Sequence, residues 1–356
     1  MYTTRHFPTE PIPPEQYDDY LARGYFRMGQ TIFTTRFLFF NYQLFTPVWT
    51  RLDLDRHQFT KRQRRILRRV RERFRIDLGP VEIDREREQL FQAYRKYRGR
   101  RGWVTLRQSL YDHKRTSVYN TWEVRIFDGD QIVAFSHFDL GATSAGSTAG
   151  IFDPELARHS LGYATMLLEM EFMQQRGMRY YYPGYVVPGH SPFDYKRRIG
   201  KLDAYRPNEN SWTPLDELAY DDLDHRQVEQ RLVDIADQLP KRHGAAQLMF
   251  NPSFDMSIQD GRNQVMNTIP YPAFLLLYPL TVILGLAYIV SYDPRKGTYR
   301  LGSYNVVGNV GSSHKPDQMP ANVFTKVLTL DEIVLETTDE ELMLRELKSW
   351  GSANLF

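Results

Sequence analysis

Residues 121–187 constrain this chain more than any other part of it. Thr121–Phe127 (TWEVRIF) reads as a strand and meets Asp128-Gly129-Asp130, a hairpin turn signal. Gln131–Leu140 returns as a second strand. Gly141–Ser147 is a run of small residues expected to form a loop, and Thr148–Phe152 a short third strand. Asp153-Pro154 then opens a helix that carries Leu161, Met166, Leu167, Met170 and Met173 and ends at Gly177. Met178–Val187 (MRYYYPGYVV) reads as the next strand. Strands, one helix and a further strand in this order predict an α+β fold with a mixed, largely antiparallel sheet flanked by helices.

A length of 356 residues suggests about two domains. Hydrophobic content of 42% and charged content of 25% exclude a disordered chain, a collagen-like repeat and a disulfide scaffold. There is no cysteine, which excludes a thiol nucleophile, a thiolate-held iron–sulfur cluster and every cysteine-containing zinc site. The nine histidines show no metal spacing, so neither a metal nor a cofactor is expected. The start, MYTTRHFPTEPIPPEQ, has no apolar core of a signal peptide, and the cytoplasm is the expected location.

The net charge of +3 hides an asymmetry. Residues 1–50 sum to zero, residues 51–120 to +12 and residues 121–356 to −9. Much of the positive charge lies in one run from Lys61 to Arg71. Its apolar residues Ile66, Leu67 and Val70, with Phe74, fall three or four apart, the stripe of an amphipathic helix, and Thr60 is placed to cap it. A second helix is expected over Arg85 to Lys96, with Leu90, Phe91 and Tyr94 inward. It leads into the basic run Arg95, Lys96, Arg98, Arg100 and Arg101. A short charge run is ordinarily a solvated face. This one is long, of one sign and repeated, and like charges at such density favour an anionic partner. Guanidinium forks suit phosphate oxygens, so contact with a nucleic-acid backbone, without base reading, is the expectation.

Elsewhere, residues 1–20 are Pro-rich and expected to be extended, and residues 31–54 have strand composition. Residues 207–245 read as helical and acidic, with Val228, Leu232, Ile235 and Leu239 on one face. Pro272–Val290 is the one long apolar stretch. Pro279 and Thr281 interrupt it, so a buried hairpin of Ile283–Tyr292 with Thr298–Val307 is preferred to a membrane span. Asp331–Ser349 reads as a helix. The expected division is 1–80, an N-terminal β-rich and helical subdomain with the basic helix; 81–250, the core; and 251–356, a C-terminal extension.

The order of residues 121–187 resembles the N-acetyltransferase (GNAT-like) core. In that fold a helix N-terminus lies under the donor's phosphates, where free backbone N–H groups and the helix dipole favour an anion. Arg158-His159-Ser160-Leu161-Gly162-Tyr163-Ala164 resembles its acetyl-CoA loop, with His159 where Arg or Gln is usual. The alternative reading makes Ser160 a cap and Gly162 a packing glycine. Further motifs carry a more specific resemblance. Phe59-Thr60-Lys61-Arg62-Gln63-Arg64-Arg65 stands early, then Leu90-Phe91-Gln92-Ala93-Tyr94, Phe152-Asp153-Pro154, Ser160-Leu161-Gly162, Tyr182-Pro183-Gly184-Tyr185 and Ser191-Pro192 with Tyr195-Lys196. Together, over about residues 20–205, the chain resembles the arginyl-/leucyl-tRNA–protein transferase family. The resemblance implies transfer of an amino acid of the arginine or leucine class from aminoacyl-tRNA to the N-terminal α-amine of an acceptor protein, an N-degron reaction. Family members commonly carry clustered cysteines near the N-terminus, some linked to an iron–sulfur cluster. Here Phe39, Phe40, Tyr42 and Phe45 stand in that region, so such a cluster is excluded and residues 37–46 are expected to supply structure instead. The family's Tyr after the Ser-Leu-Gly glycine is Ala164, its Lys-Met after Ser-Pro is Phe193-Asp194, and its Phe-Arg-Pro after Tyr-Lys is Arg197-Arg198-Ile199-Gly200.

For aminoacyl transfer the candidate catalytic residues are Tyr185, Tyr195, Asp194 and Glu169. The tyrosines would line the 3′-end or acceptor pocket, or be core. Asp194 would pair with the incoming ammonium, or cap a turn. Glu169 would act as a base from the cleft, or sit on a solvated helix face. Lys61, Arg62, Arg64, Arg65, Arg68, Arg69 and Lys196 are the candidate tRNA-binding residues, and Ser160, Gly162 and Ala164 the acyl and 3′-end loop. His159 and His190 flank the expected cleft. Two alternatives remain at this stage, an acyl-CoA-dependent N-acyltransferase and a non-catalytic tRNA- or degron-binding relative.

Overall fold

The computed structural model of the protein describes residues 2–99, 102–239, 246–252, 254, 269–309 and 319–353. Arg100, Arg101 and the 240–245 tail of the expected acidic helical span lie outside the described residues. In chain order the first part runs β1 (Thr3–His6), α1 (Pro14–Ala22), β2 (Phe26–Met28), β3 (Thr31–Thr35), β4 (Leu38–Phe40), β5 (Gln43–Phe45) and β6 (Val48–Asp53). Next come α2 (Lys61–Arg73), β7 (Arg75–Pro80), α3 (Arg85–Tyr97), α4 (Leu106–Tyr111), β8 (Thr121–Asp128), β9 (Gln131–Leu140) and β10 (Ser144–Phe152). Then follow α5 (Leu161–Gln175), β11 (Tyr180–Val186), β12 (Leu202–Arg206), β13 (Ser211–Pro214), α6 (Asp224–Asp237) and β14 (Ala246–Phe250). The chain continues with β15 (Ala273–Leu277), β16 (Leu286–Asp293), β17 (Thr298–Asn309), β18 (Lys326–Thr337) and α7 (Glu340–Ala353).

These elements form two compact units. One comprises Arg5–Thr34 with Val48–Leu218, the other Met1–Thr4, Thr35–Pro47 and Ala219–Phe356. The first unit is built on an eight-stranded sheet in the order β13-β12-β6-β11-β10-β9-β8-β7. Within it β8, β9 and β10 are antiparallel, α5 crosses over, and β11 pairs parallel to β10. This is the GNAT-like core expected from residues 121–187. The small-residue run is strand from Ser144 onward, rather than loop up to Ser147, because its backbone pairs with β9 through Ala145↔Leu140. Asp153 caps only a short 3-10 segment, Pro154–His159. Ser160, at φ 57°, breaks it, and α5 starts at Leu161.

α5 is buried nearly all round, at Leu161, Ala164 to Met170 and Met173. Each fully buried Leu or Met there contributes on the order of 1.5–3 kcal/mol. α2 begins with a capping box. Thr60 Oγ1 accepts from the Gln63 amide (3.2 Å), and Gln63 Oε1 accepts from the Thr60 amide (2.8 Å). Leu67, Val70 and Phe74 of its expected stripe are buried, and Ile66 is half-buried. In α3, Leu90 and Phe91 are buried and Tyr94 is half-buried.

A buried charge network ties β8 to α3 and β9. Glu123 is fully buried and accepts from Arg87 Nε (3.0 Å) and Arg125 Nε (2.7 Å), and it lies 3.0 Å from His137 Nε2. Burial alone raises its pKa. The hydrogen bonds and charges of His137 and Arg87 outweigh that and hold it below the usual carboxylate range. Removing one member leaves buried charge uncompensated. Glu123→Ala is therefore expected to cost about 3–5 kcal/mol, read as a lower denaturation midpoint at unchanged slope.

The second unit holds a five-stranded antiparallel sheet, β14-β15-β16-β17-β18, with α6 and α7 in its core. The expected hairpin is present as β16 and β17, in register from Leu286↔Asn305 to Asp293↔Thr298. Among the described residues no helix is long and apolar enough to cross a membrane. Three other expectations are corrected. Residues 14–22 are helical, because Pro13-Pro14 favours a helix start there. Residues 207–223 form β13 and short 3-10 turns, with helix only from Asp224, although Val228, Leu232, Ile235 and Leu239 are buried as one face. Residues 331–337 belong to β18, since pairing with β17 from Tyr299↔Thr337 to Asn309↔Lys326 overrides the helical spacing, and Asp339 caps the helix proper. The aromatic stretch at 37–46 forms the hairpin β4–β5. Its turn residues Asn41 and Tyr42 both have positive φ, and Phe37 packs edge-on against Tyr2 at 4.9 Å.

Candidate functional site

The first unit contains a cleft of about 690 Å³. Its origin is a parting of strands. β10 and β11 pair only from Ser144↔Tyr180 to Gly146↔Tyr182. β10 then bulges between Ser147 and Ala149, and β11 shifts register against β6 between Tyr181 and Gly184. Pro183 has no N–H to donate, and Gly184 takes φ 89°, a conformation that favours glycine. The two strands splay, and the gap between Gly146–Gly150 and Pro183–Tyr185 becomes the cleft.

Glu169 and Ser136 line the floor of this cleft. Glu169 is fully buried, and its Oε2 accepts a hydrogen bond from Tyr181 Oη at 2.7 Å. Neither Glu169 Oε1 nor Ser136 Oγ meets hydrogen-bond geometry with a partner among the described residues. Burial drives the Glu169 pKa up, the neighbouring Ser136, Tyr181 and Ser147 hydroxyls offset part of the rise, and it stands at about 7. A solvated helix face is thereby excluded for this residue. The side chain is held near neutrality, where a carboxyl exchanges protons most readily at working pH.

Ser160, Leu161 and Gly162 line the same cleft. The first amides of a helix have no acceptor within it, so those of Leu161 and Gly162 are available to a ligand. Ser160 is a left-handed break with no side-chain cap, and Gly162 is a packing position. A Cβ there would stand 2.9 Å from Phe152 Cδ1. Ala164 is fully buried behind the loop.

A 3-10 segment, Ser191–Arg198, forms the opposite wall. Tyr185, Tyr195 and Lys196 line the cleft there. The Lys196 ammonium donates to the Tyr185 carbonyl at 3.1 Å and lies 5.3 Å from the Tyr185 ring centre. Burial pulls its pKa down to about 8. Asp194 is exposed, faces Arg197 at 3.7 Å and is not among the cleft-lining residues. His159 packs edge-on to Phe74 at 5.4 Å and His190 lies 5.7 Å from Phe193, and neither lines the cleft. Among the described residues no group of three or more His, Asp or Glu could hold a metal.

Several lining residues escaped the sequence reading. Phe26 stacks on Trp49 at 4.4 Å, and with Phe33 and Met28 they make one end of the cleft apolar. Arg27 lines it too, but its guanidinium is bound to Asp139 at 2.7 Å. Tyr97 and Arg98 line it from the end of α3. The available signal was the run Gly146 to Gly150, where missing side-chain bulk leaves room for a ligand.

The basic helix presents a second, shallow groove of about 650 Å³, lined by Lys61, Arg62, Arg64, Arg65 and Arg68. These residues and Arg69 are exposed. Arg64 bonds the Phe59 carbonyl and Arg68 faces Glu72 at 3.6 Å. Lys61, Arg62, Arg65 and Arg69 face no carboxylate within ion-pair distance among the described residues. Gln63, on the buried side of the helix, donates to the Ile199 carbonyl at 2.9 Å, and Tyr163 Oη donates to the Arg198 carbonyl at 2.7 Å. The basic helix and the cleft wall are thus joined by direct hydrogen bonds.

Residues 86–206 match the family described as the C terminus of arginine-tRNA-protein transferase. The chain is 25% identical over 179 residues to an aspartate/glutamate leucyltransferase of Leptospira interrogans, covering 47% of this chain and 68% of that one. It is 25% identical over 219 residues to an aspartate/glutamate leucyltransferase of Helicobacter hepaticus, covering 57% and 84%. Among solved structures it overlaps a putative GNAT-family acetyltransferase of Novosphingobium aromaticivorans, with 13% identity, 45% and 60% coverage and a TM-score of 0.28.

Proposed function

We propose, from the premise that this chain is an aminoacyltransferase related to the aminoacyl-tRNA–protein transferases, that it moves a leucine-class amino acid from tRNA to the N-terminal α-amine of a protein with an acidic first residue. The observation that carries the reading is the splayed-strand cleft with Glu169 at its floor. The apolar end formed by Phe26, Met28, Phe33 and Trp49 suits an aliphatic donor side chain. An arginine side chain would want a carboxylate partner, and among the described residues Glu169 is the one carboxylate lining the cleft. The names of the relatives support the same donor and acceptor.

The ester of an aminoacyl-tRNA is already activated, so the enzyme has to position, stabilise an oxyanion and move a proton. The acceptor amine attacks the ester carbonyl. A C–N bond forms, the C–O bond to the ribose breaks, the amine loses a proton and the ribose oxygen gains one. In this account Glu169 takes the amine proton and returns it to the leaving oxygen, with Ser136 and Ser147 beside its carboxylate. Beyond Gly146 and Tyr182 the strands no longer bond to each other, which leaves backbone amides for the oxyanion. The amides of Leu161 and Gly162 and the Lys196 ammonium take phosphate at the 3′ end, Tyr185 and Tyr195 line the reacting ends, and α2 takes the tRNA backbone. Asp194, turned to solvent beside Arg197, has no part in it. Addition of the residue would mark the acceptor for degradation in the N-degron manner.

The test offers labelled Leu-tRNA, Arg-tRNA and acetyl-CoA to peptides beginning with Asp, Glu, Arg or Lys. The reading expects label on the Asp and Glu peptides from Leu-tRNA. Acetylation from acetyl-CoA alone would overturn it in favour of an acyl-CoA enzyme. Bound tRNA with no transfer from any donor would leave a binding protein.

A further inference from the structure

The end of α3 presents two tyrosines and a guanidinium to the cleft. Tyr94 and Tyr97 are one turn apart on the same face of the helix. Tyr94 packs on Phe152, with ring centres 5.0 Å apart, and Tyr97 lies 6.3 Å from the same ring. Phe152 in turn abuts Gly162 at the start of α5. Tyr97 lines the cleft yet is 58% exposed, so the described residues cover its side chain only in part. The next residue, Arg98, also lines the cleft and is exposed. It faces no carboxylate within ion-pair distance among the described residues, whereas Arg27 in the same cleft is committed to Asp139.

An aromatic ledge beside a guanidinium suits a nucleobase that carries a phosphate. The ring stacks on the base, and the fork takes the phosphate oxygens. An acidic peptide side chain would use Arg98 but give the exposed Tyr97 ring nothing to do. We propose that Tyr97 and Arg98 form a subsite for an unpaired purine and its phosphate, namely the 3′-terminal nucleotide of the donor RNA. Phe152 backs the ledge and joins it to the start of α5. The proposal rests on the reading of the donor as an RNA 3′ end. Its test reads binding rather than transfer, so the two can fail separately.

The probe is an RNA hairpin ending in CCA, with 2-aminopurine as the terminal base. Binding to the full chain is expected to quench the probe. Tyr97→Phe keeps the quench. Tyr97→Ala abolishes it and weakens the hairpin about tenfold. Arg98→Gln keeps the quench but makes the fall of log affinity with log salt shallower by about 0.7. A Tyr97→Ala protein that folds, quenches and binds like the wild type overturns the ledge, and so does a wild type that binds the hairpin without quenching. Displacement of the hairpin by coenzyme A at equal concentration would reassign the subsite to a free nucleotide and overturn the RNA assignment. If quenching behaves as expected but no amino acid is transferred, the ledge stands and the proposed function falls.

Discussion

Glu169→Gln is expected to lower kcat for aminoacyl transfer by about 10²–10⁴-fold, with little change in KM for the tRNA, since the proton acceptor is lost and the cleft walls remain. The wild-type rate should fall as pH drops below about 7, because the carboxyl then holds its proton. That acid limb should disappear from the residual activity of the variant. Stability should move the other way. The folded-state pKa of about 7 lies above the ordinary 4.5, so between these values the folded protein holds a proton that the unfolded chain releases. Stability is therefore lost as pH rises through this window and stays lost above it. The neutral amide escapes that loss, and Glu169→Gln should be more stable at pH 8 by on the order of 2–3 kcal/mol. An activity loss joined to a stability gain separates a chemical role from a structural one. Equal activity in wild type and variant would remove Glu169 from the mechanism.

The second large effect is electrostatic. Reversing Arg64, Arg65, Arg68 and Arg69 to Glu should weaken tRNA binding by on the order of 10²–10³-fold at moderate salt. It should make the salt dependence shallower by up to about 3–4 in the log–log slope, at roughly 0.9 per phosphate contact. All four side chains are exposed, and the Arg68–Glu72 pair at 3.6 Å is a surface pair of small worth, so the fold should persist. Circular dichroism checks the fold and filter binding across a salt series reads the slope. An unchanged slope would assign the positive charge of residues 51–120 to solvent.

The core over residues 121–187 was readable because its strands end at turn residues and α5, Leu161–Gln175, is mostly apolar. The basic helix was readable because apolar positions three and four apart stand out against arginine, and Thr60 with Gln63 completes the cap. What stayed hidden depends on the third dimension. Ser136, Ser147 and Tyr181 meet Glu169 only because β9, β10, β11 and α5 converge, and no local spacing brings them together. The burial of Glu169 did have a signal. Leu161, Met166, Leu167, Leu168 and Met170 surround it with apolar side chains, whereas Glu171, two residues on, takes the partly exposed side that faces Arg71. Arg98 read as one member of a basic run and Tyr97 carried no signal of its own, and only the cleft distinguishes Arg98 from its neighbours. Residues 331–337 of β18 read as the start of a helix carrying Leu335, Leu342, Leu344 and Leu347, while pairing with β17 decides the backbone.

The most direct test of the account is the position of the added group on the acceptor. A peptide beginning with Asp and carrying an internal Lys is incubated with Leu-tRNA and the full chain, and the product is sequenced by mass spectrometry. The account predicts one leucine joined to the α-amine of the first residue. Leucine on the lysine side chain, or an acceptor left unmodified while the tRNA is bound, would contradict it.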